Sequence, residues 1–210
     1  MAYVSLNDGV QHETDTLRYG LTVHALHHGA SADRAEHYSV RLTLPHGVCY
    51  DHDERPGASA LLALTFGTHP RQRAAGRFPG ADAGLCYESI DITLSGSNLP
   101  ELLDDLATRM SAPMPDPDEY VRLCASLRTL ATRAESDANV QVSNTAHKVF
   151  VKTSPYAWPW PSGSYYQTRP ALASMPPFGM YRRRHRRVGP SLSRLIIAST
   201  KPAPEVLAKV

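Results

Sequence analysis

Cysteine is scarce in this sequence: Cys49, Cys86 and Cys124 stand far apart and form no CxxC pair. An odd, scattered set excludes a disulfide framework and predicts three buried thiols in a reducing compartment. Long apolar runs are missing too. None approaches the ~18 residues that a membrane span needs, and Met1 to Val10 carries no basic-then-apolar signal. A soluble, cytoplasmic protein is therefore expected, with no membrane partner. Net charge is also small, since 22 Lys+Arg face 20 Asp+Glu to give +2. That balance supplies no global pull toward nucleic acid or membrane. Lysine itself is rare, with 4 against 18 arginines; together with abundant alanine this suggests a high-GC bacterial genome. The chain holds neither an internal repeat nor a low-complexity segment. What remains is 210 residues, 42% of them apolar, enough for a single domain over 1–210 with a core that needs no staples.

Period-two alternation predicts a first strand over Thr16 to Leu26, with Leu17, Tyr19, Leu21, Val23 and Ala25 on one face. A neighbouring strand is expected over His37 to Leu44, with Tyr38, Val40, Leu42 and Leu44 turned one way. Gly57 to Phe66 (GASALLALTF) has no polar face and predicts a buried helix that stops at Gly67. Thr68 to Gly84 is basic, glycine-rich and without periodicity, hence a loop. Leu85 to Leu94 is a third strand candidate. A capping side chain just before Pro100, followed by Glu101, opens a helix whose stripe is Leu99, Leu102, Leu103, Leu106 and Met110. Pro113, Pro115 and Pro117 form a hinge. Asp118 to Ala134 is a second amphipathic helix, and Ala138 to Phe150 a weaker one. Thr153 to Pro177 is a proline-rich irregular stretch holding Trp158 and Trp160. A basic helix over Gly179 to Arg187, a strand over Leu192 to Ala198 and a short helix over Pro204 to Val210 complete the chain. Strands and helices do not alternate strictly, which disfavours a doubly wound sheet. The expected class is α+β: a mostly antiparallel sheet with helices packed on one face.

The pieces stand in a familiar order. Leu17-Arg18-Tyr19-Gly20-Leu21-Thr22-Val23 resembles the opening "L-x-N-G-L-x-V" strand of insulinase/pitrilysin-type peptidases, the superfamily that includes mitochondrial processing peptidase. GASALLALTFGT (Gly57 to Thr68) resembles their zinc helix with the F-x-G-T after it. Gly80 to Leu94 resembles the following strand, and Leu99 to Met110 the "L-P-x-x-L-x-x-L-A" helix. Pro155-Tyr156 with Gly163 resembles the "P-Y-G-x-P … G" loop, and Tyr181 to Val210 the closing segment. The resemblance covers nearly the whole chain and implies one half domain of that type.

The departure from the family's pattern carries the functional expectation. Active members bear H-x-x-E-H on this helix: two histidines one turn apart bind zinc, and the glutamate activates the metal-bound water. Aligned through Gly57, these positions hold Ala60, Ala63 and Leu64. The region of the family's remaining glutamate ligand, about Arg128 to Ala134, holds no carboxylate, and Glu119 and Glu135 flank it without partners. The resemblance thus implies a non-catalytic subunit with no catalytic residue, no metal ligand and no cofactor of its own, zinc being expected only in a partner. It implies a heteromer with a catalytic insulinase-type subunit that encloses and processes a precursor peptide, leader-peptide removal in natural-product biosynthesis being the expected case. The alternative is a structural or scaffold subunit with no role in proteolysis.

Other signals set further expectations. His24, His27, His28 and His37 cluster early, and a metal enzyme built on them would be a third reading. A metal needs three or four convergent ligands, and His24 and His28 would share a face only on a helix, so solvent-facing imidazoles are expected. Five arginines crowd between Arg182 and Arg187. Guanidinium groups grip carboxylate or phosphate in pairs of bonds, which makes Tyr181, Arg182, Arg183, Arg184, Arg186 and Arg187 candidates for a peptide or partner contact, with Trp158 and Trp160. Single-stranded nucleic acid would require aromatics interleaved with the charges, and only Tyr181 is near; no nucleic acid is expected.

Overall fold

Tyr38, Val40, Leu42 and Leu44 alternate with polar residues, and in the computed structural model all four are buried on one side of a strand. The structure describes residues 3–6, 10–28, 35–51, 57–78, 82–86, 88–139, 141–142, 145 and 176–210. Trp158, Trp160, the loop around Pro155 and most of the helix expected over Ala138 to Phe150 lie outside them. Contacts group the chain into two units, one of Met1–Pro45, Asp91–Ala112 and Gly189–Val210, the other of His46–Ile90 and Pro113–Val188.

The first unit is built on strands β1 (Tyr3–Leu6), β2 (Val10–Thr16), β3 (Thr22–His28), β4 (Tyr38–Leu44), β6 (Ile90–Gly96) and β7 (Arg194–Ser199), in the spatial order β1-β2-β3-β7-β4-β6. β1 with β2, β2 with β3 and β4 with β7 pair antiparallel, and β3 with β7 pairs parallel. Register explains the core. Val23 faces Leu195 and Ala25 faces Ile197, while Val40 and Leu42 meet the same two β7 residues from the other side. All six are buried, so every second residue across three strands contributes to one apolar layer. Helix α3 (Leu99–Ser111) lies against β4, and α6 (Ala203–Leu207) against β2, β3 and β7. They bring Leu99, Leu106, Ala203 and Val206 to this unit's core. The expected α+β class, a mostly antiparallel sheet with helices, is what the chain forms.

The segment read as one strand from Thr16 is instead the turn and second strand of a hairpin, whose first strand, β2, lies almost wholly before the expected bounds. β2 and β3 pair from Val10↔His28 to Thr16↔Thr22 around a 3₁₀ turn at Arg18–Gly20. Tyr19 and Gly20 sit there at φ of 70° and 84°, a left-handed pair that glycine accepts freely and tyrosine rarely. The turn happens to keep the alternation in phase, which hides it. Tyr19, predicted to face inward, is 77% exposed. β4 is in the same sheet as β3, but β7 runs between them. The Asn98 side chain, next to the start of α3, makes no capping hydrogen bond.

The second unit surrounds α1 (Ala58–Phe66), with α2 (Pro70–Ala74), β5 (Ala83–Leu85), α4 (Pro117–Ser136) and α5 (Phe178–His185). Helix α1 touches β5, α4 and α5. The segment read as a loop after Gly67 contains α2, whose first turn carries Pro70 where a missing N–H does no harm. The third strand candidate divides into β5 and β6, separated by 86–89. α4 turns Tyr120, Leu123, Cys124 and Leu127 inward, as its spacing predicts.

Gly67 ends α1 at an ordinary φ of −73°, its N–H bonded to the Ala63 carbonyl. Space rather than backbone freedom requires glycine: a Cβ built there would stand 2.4 Å from Ala83 Cβ and 2.9 Å from Ala63 O. Gly67→Ala should therefore lower stability by about 1–3 kcal/mol through overpacking, read as a lower urea midpoint at unchanged m-value. A Gly189→Ala control, with open space around its Cβ, should move the midpoint far less.

Two cysteines correct the expectation of three buried thiols. Cys124 is buried, but Cys49 and Cys86 are exposed. Burial raises the Cys124 pKa, so this thiol is inert as well as covered. A thiol reagent should label Cys49 and Cys86 in the native protein and Cys124 only after unfolding.

Candidate functional site

Helix α1 is the segment where the family pattern places its chemistry. All nine of its residues are buried. An apolar helix without a polar face is stable only when protein covers it all round. Ala60, Ala63 and Leu64 are 4%, 0% and 2% exposed. None carries a donor atom for zinc or a group that moves a proton, so these positions do not fit the metal, and no step of a hydrolysis is built on them.

The polar groups around α1 are engaged with one another. Asp51 accepts from the Gly57 and Ser59 backbone N–H groups at 2.7 and 2.9 Å, which satisfies unpaired donors at the helix start and places a negative charge there. Its carboxylate also lies 2.8 Å from the Ser59 hydroxyl and forms an ion pair with Arg184. Arg184 further donates to Ser59 Oγ at 2.7 Å and to the Gly47 carbonyl at 3.2 Å. Arg73 is 4% exposed. It donates through Nε to Glu119 at 2.7 Å and through Nη2 to the Pro113 carbonyl at 3.1 Å. Glu119 thus has a partner, contrary to the sequence expectation; Arg73 lies 46 residues away in a segment read as loop, where no local pattern joins the two. The side chain of Glu135 lies outside the described residues.

An aromatic cluster covers the other end of α1. Thr65 donates back to the Leu61 carbonyl at 2.7 Å, and its oxygen lies 2.7 Å from the Tyr181 hydroxyl, which then donates to it. Tyr120 sits 5.2 Å from both Tyr181 and Phe178, ring to ring, and donates to the Pro176 carbonyl. Burial pushes both phenols well above their ordinary range, so neither serves as a proton donor or acceptor near neutral pH. Of the residues proposed for a contact, Tyr181 is 0% exposed and Arg184 is turned to Asp51. Arg182, Arg183, Arg186 and Arg187 are exposed and form the available part of that set.

His185 stacks on Phe66 at 5.1 Å, and its Nε2 is buried without a hydrogen-bond partner. Burial first, and the Arg73 charge second, push its pKa down to about 4. The folded protein therefore holds His185 neutral where an unfolded chain, with a pKa near 6.5, takes up a proton. The linked stability is present above about pH 6.5 and is lost as pH falls toward 4. His185→Phe should flatten the decline of the urea midpoint between pH 7 and pH 4.5 relative to the unchanged protein. Equal slopes for the two would contradict a neutral buried imidazole.

Among the described residues, no three of His, Cys, Asp and Glu converge, and no helix is long and apolar enough to cross a membrane. No protein-family model matches the sequence, and no curated protein matches it. Solved structures do. The first half of the periplasmic protease PqqL from Escherichia coli aligns over 99% of this chain and 46% of its own, with a TM-score of 0.66 at 15% identity. A putative M16-like peptidase from Alicyclobacillus acidocaldarius aligns over 98% and 50%, with a TM-score of 0.72 at 14% identity. A peptidase M16 inactive domain from Pseudomonas fluorescens aligns over 94% and 48%, with a TM-score of 0.62 at 16% identity. The fold is thus that of an insulinase-type half domain, and the chain spans about half the length of these neighbours.

Proposed function

We propose that this chain is the non-catalytic half of a two-half zinc peptidase. In this reading it pairs with a zinc-bearing half of the same fold to enclose and process a precursor peptide. One observation carries the proposal: Ala60, Ala63 and Leu64, which the sequence resemblance aligns with the family's metal ligands and proton carrier, are sealed in the core of the second unit. The fold supports a peptidase-like role, and one neighbour is itself described as an inactive domain. The exposed Arg182, Arg183, Arg186 and Arg187 offer guanidinium groups to acidic side chains of a partner or peptide. The scarce, scattered cysteines favour a reducing compartment, and we place the protein in a bacterial cytoplasm, although PqqL is periplasmic. Leader-peptide removal is the expected task.

Omission tests the reading. A tagged zinc-bearing half that carries H-x-x-E-H should retain this chain through purification, and leaving this chain out should abolish cleavage of the precursor. Co-purification with cleavage unchanged on omission would favour a scaffold subunit and overturn the peptidase role.

A further inference from the structure

The hairpin of the first unit gathers two histidines and a threonine on the sheet face opposite its buried layer. On β2, His12 and Thr14 alternate with Glu13, which is buried, and on β3 His24 stands between the buried Val23 and Ala25. The register places Thr14 opposite His24 and His12 opposite Leu26, so the two imidazoles meet diagonally across the hairpin. His12 Nε2 lies 3.1 Å from His24 Nδ1. The Thr14 hydroxyl lies 3.1 Å from the first nitrogen and 3.2 Å from the second. Three donor atoms from two paired strands thus form a nearly equilateral triangle.

That triangle has the dimensions of one face of a coordination polyhedron. With metal–nitrogen bonds of about 2.0–2.1 Å, adjacent ligands stand about 2.9–3.3 Å apart between octahedral and tetrahedral geometry. We propose that His12, His24 and Thr14 form a binding site for a divalent transition-metal ion of the copper, nickel and zinc class, with imidazole nitrogens as the principal ligands. The ion replaces the hydrogen bond between the rings. Both imidazoles bind neutral, His12 keeping its proton on Nδ1 and His24 on Nε2, so the exchange is a change of tautomer. The rings are 18° from parallel with centroids 5.3 Å apart. Rotation about each Cβ–Cγ bond, a soft torsion, aims both lone pairs at the ion.

The surroundings set its character. No third His, Cys, Asp or Glu joins the group among the described residues, so water fills the remaining positions. With neutral nitrogen ligands, Cu2+ should bind more tightly than Ni2+ or Zn2+. This site lies in the first unit and does not depend on the proposed pairing with a catalytic half.

Copper titration of the full chain tests the proposal, followed by electron paramagnetic resonance and calorimetry. The expected result is one equivalent of Cu2+ with a spectrum showing two imidazole nitrogens. His12→Gln and His24→Gln should each weaken binding at least 10-fold, and Thr14→Val by less. Cu2+ bound with unchanged affinity in both histidine variants would overturn the site. Should the variants fold poorly, the unchanged protein still decides it: a spectrum without two nitrogen ligands, or no binding, rules the site out.

Discussion

Ala63→Glu should unfold the second unit or lower its stability by about 4 kcal/mol or more. The substitution restores the family's proton carrier in sequence terms, so a reading of α1 as a dormant active site predicts a gain or at worst neutrality. Packing predicts the reverse. Ala63 is 0% exposed and lies mid-helix among residues that are all buried. Glutamate adds a methylene and a carboxylate to a filled space, and overpacking alone costs about 1–3 kcal/mol. The carboxylate then either stays charged without a partner or takes a proton at a raised pKa, and either course costs several kcal/mol. Set against a typical stability of about 5–15 kcal/mol, the sum is close to complete loss. Ala63→Ser, smaller and able to bond back to a helix carbonyl, should cost about 1 kcal/mol or less. Thermal and urea unfolding followed by circular dichroism give both values. A glutamate tolerated at a cost below 1 kcal/mol would mean that α1 is not core.

Arg184→Ala should cost about 3–5 kcal/mol, the range for breaking a buried ion pair from one side. The side chains of Arg184 and Asp51 are 13% and 7% exposed. Removal of the guanidinium leaves the Asp51 carboxylate buried with its charge uncompensated and takes a donor from Ser59 and from the Gly47 carbonyl. Asp51→Ala should cost a similar amount for two reasons at once: it strands the arginine and frees the Gly57 and Ser59 N–H groups at the start of α1. The double variant should recover part of the summed loss, because the two residues act as one unit. Arg184→Lys should not substitute, since one ammonium cannot reach the carboxylate, the hydroxyl and the carbonyl in the guanidinium's fork. Simple additivity of the two single variants would contradict the pairing.

Sequence made the local elements legible where burial imposes a period. β4, α3, α4 and α1 follow from their apolar spacing, and the alanine and leucine composition of α1 already announces a helix with no face toward water. Signals failed where geometry depends on partners distant in the chain. The turn at Tyr19 and Gly20 preserves the phase of the alternation, so it reads as part of β3, while β2 (VQHETDT) carries no apolar period to announce it. α2 is short and arginine-rich, and its Arg73 is buried only because Glu119 and the Pro113 carbonyl meet it. Arg184 belongs to a run that looks solvated; its inward turn depends on Asp51, 133 residues earlier. The insertion of β7 between β3 and β4 likewise leaves no mark in either strand. The absence of the chemistry at Ala60, Ala63 and Leu64 was visible in the sequence, as was the burial of the helix that carries them. The triangle of His12, Thr14 and His24 was half visible: His24 stood out among the histidines, but His12 joins it only through the hairpin register.

The central claim is that catalysis, if this chain takes part in it, comes from a partner's zinc and never from α1. The most direct measurement is precursor cleavage by a fixed amount of the zinc-bearing half as this chain is titrated in, with this chain alone, zinc added, run beside it. The account predicts no cleavage by this chain alone and a rise that saturates at one copy per catalytic half. Zinc-dependent cleavage by this chain alone, or a rate indifferent to its presence, would contradict it.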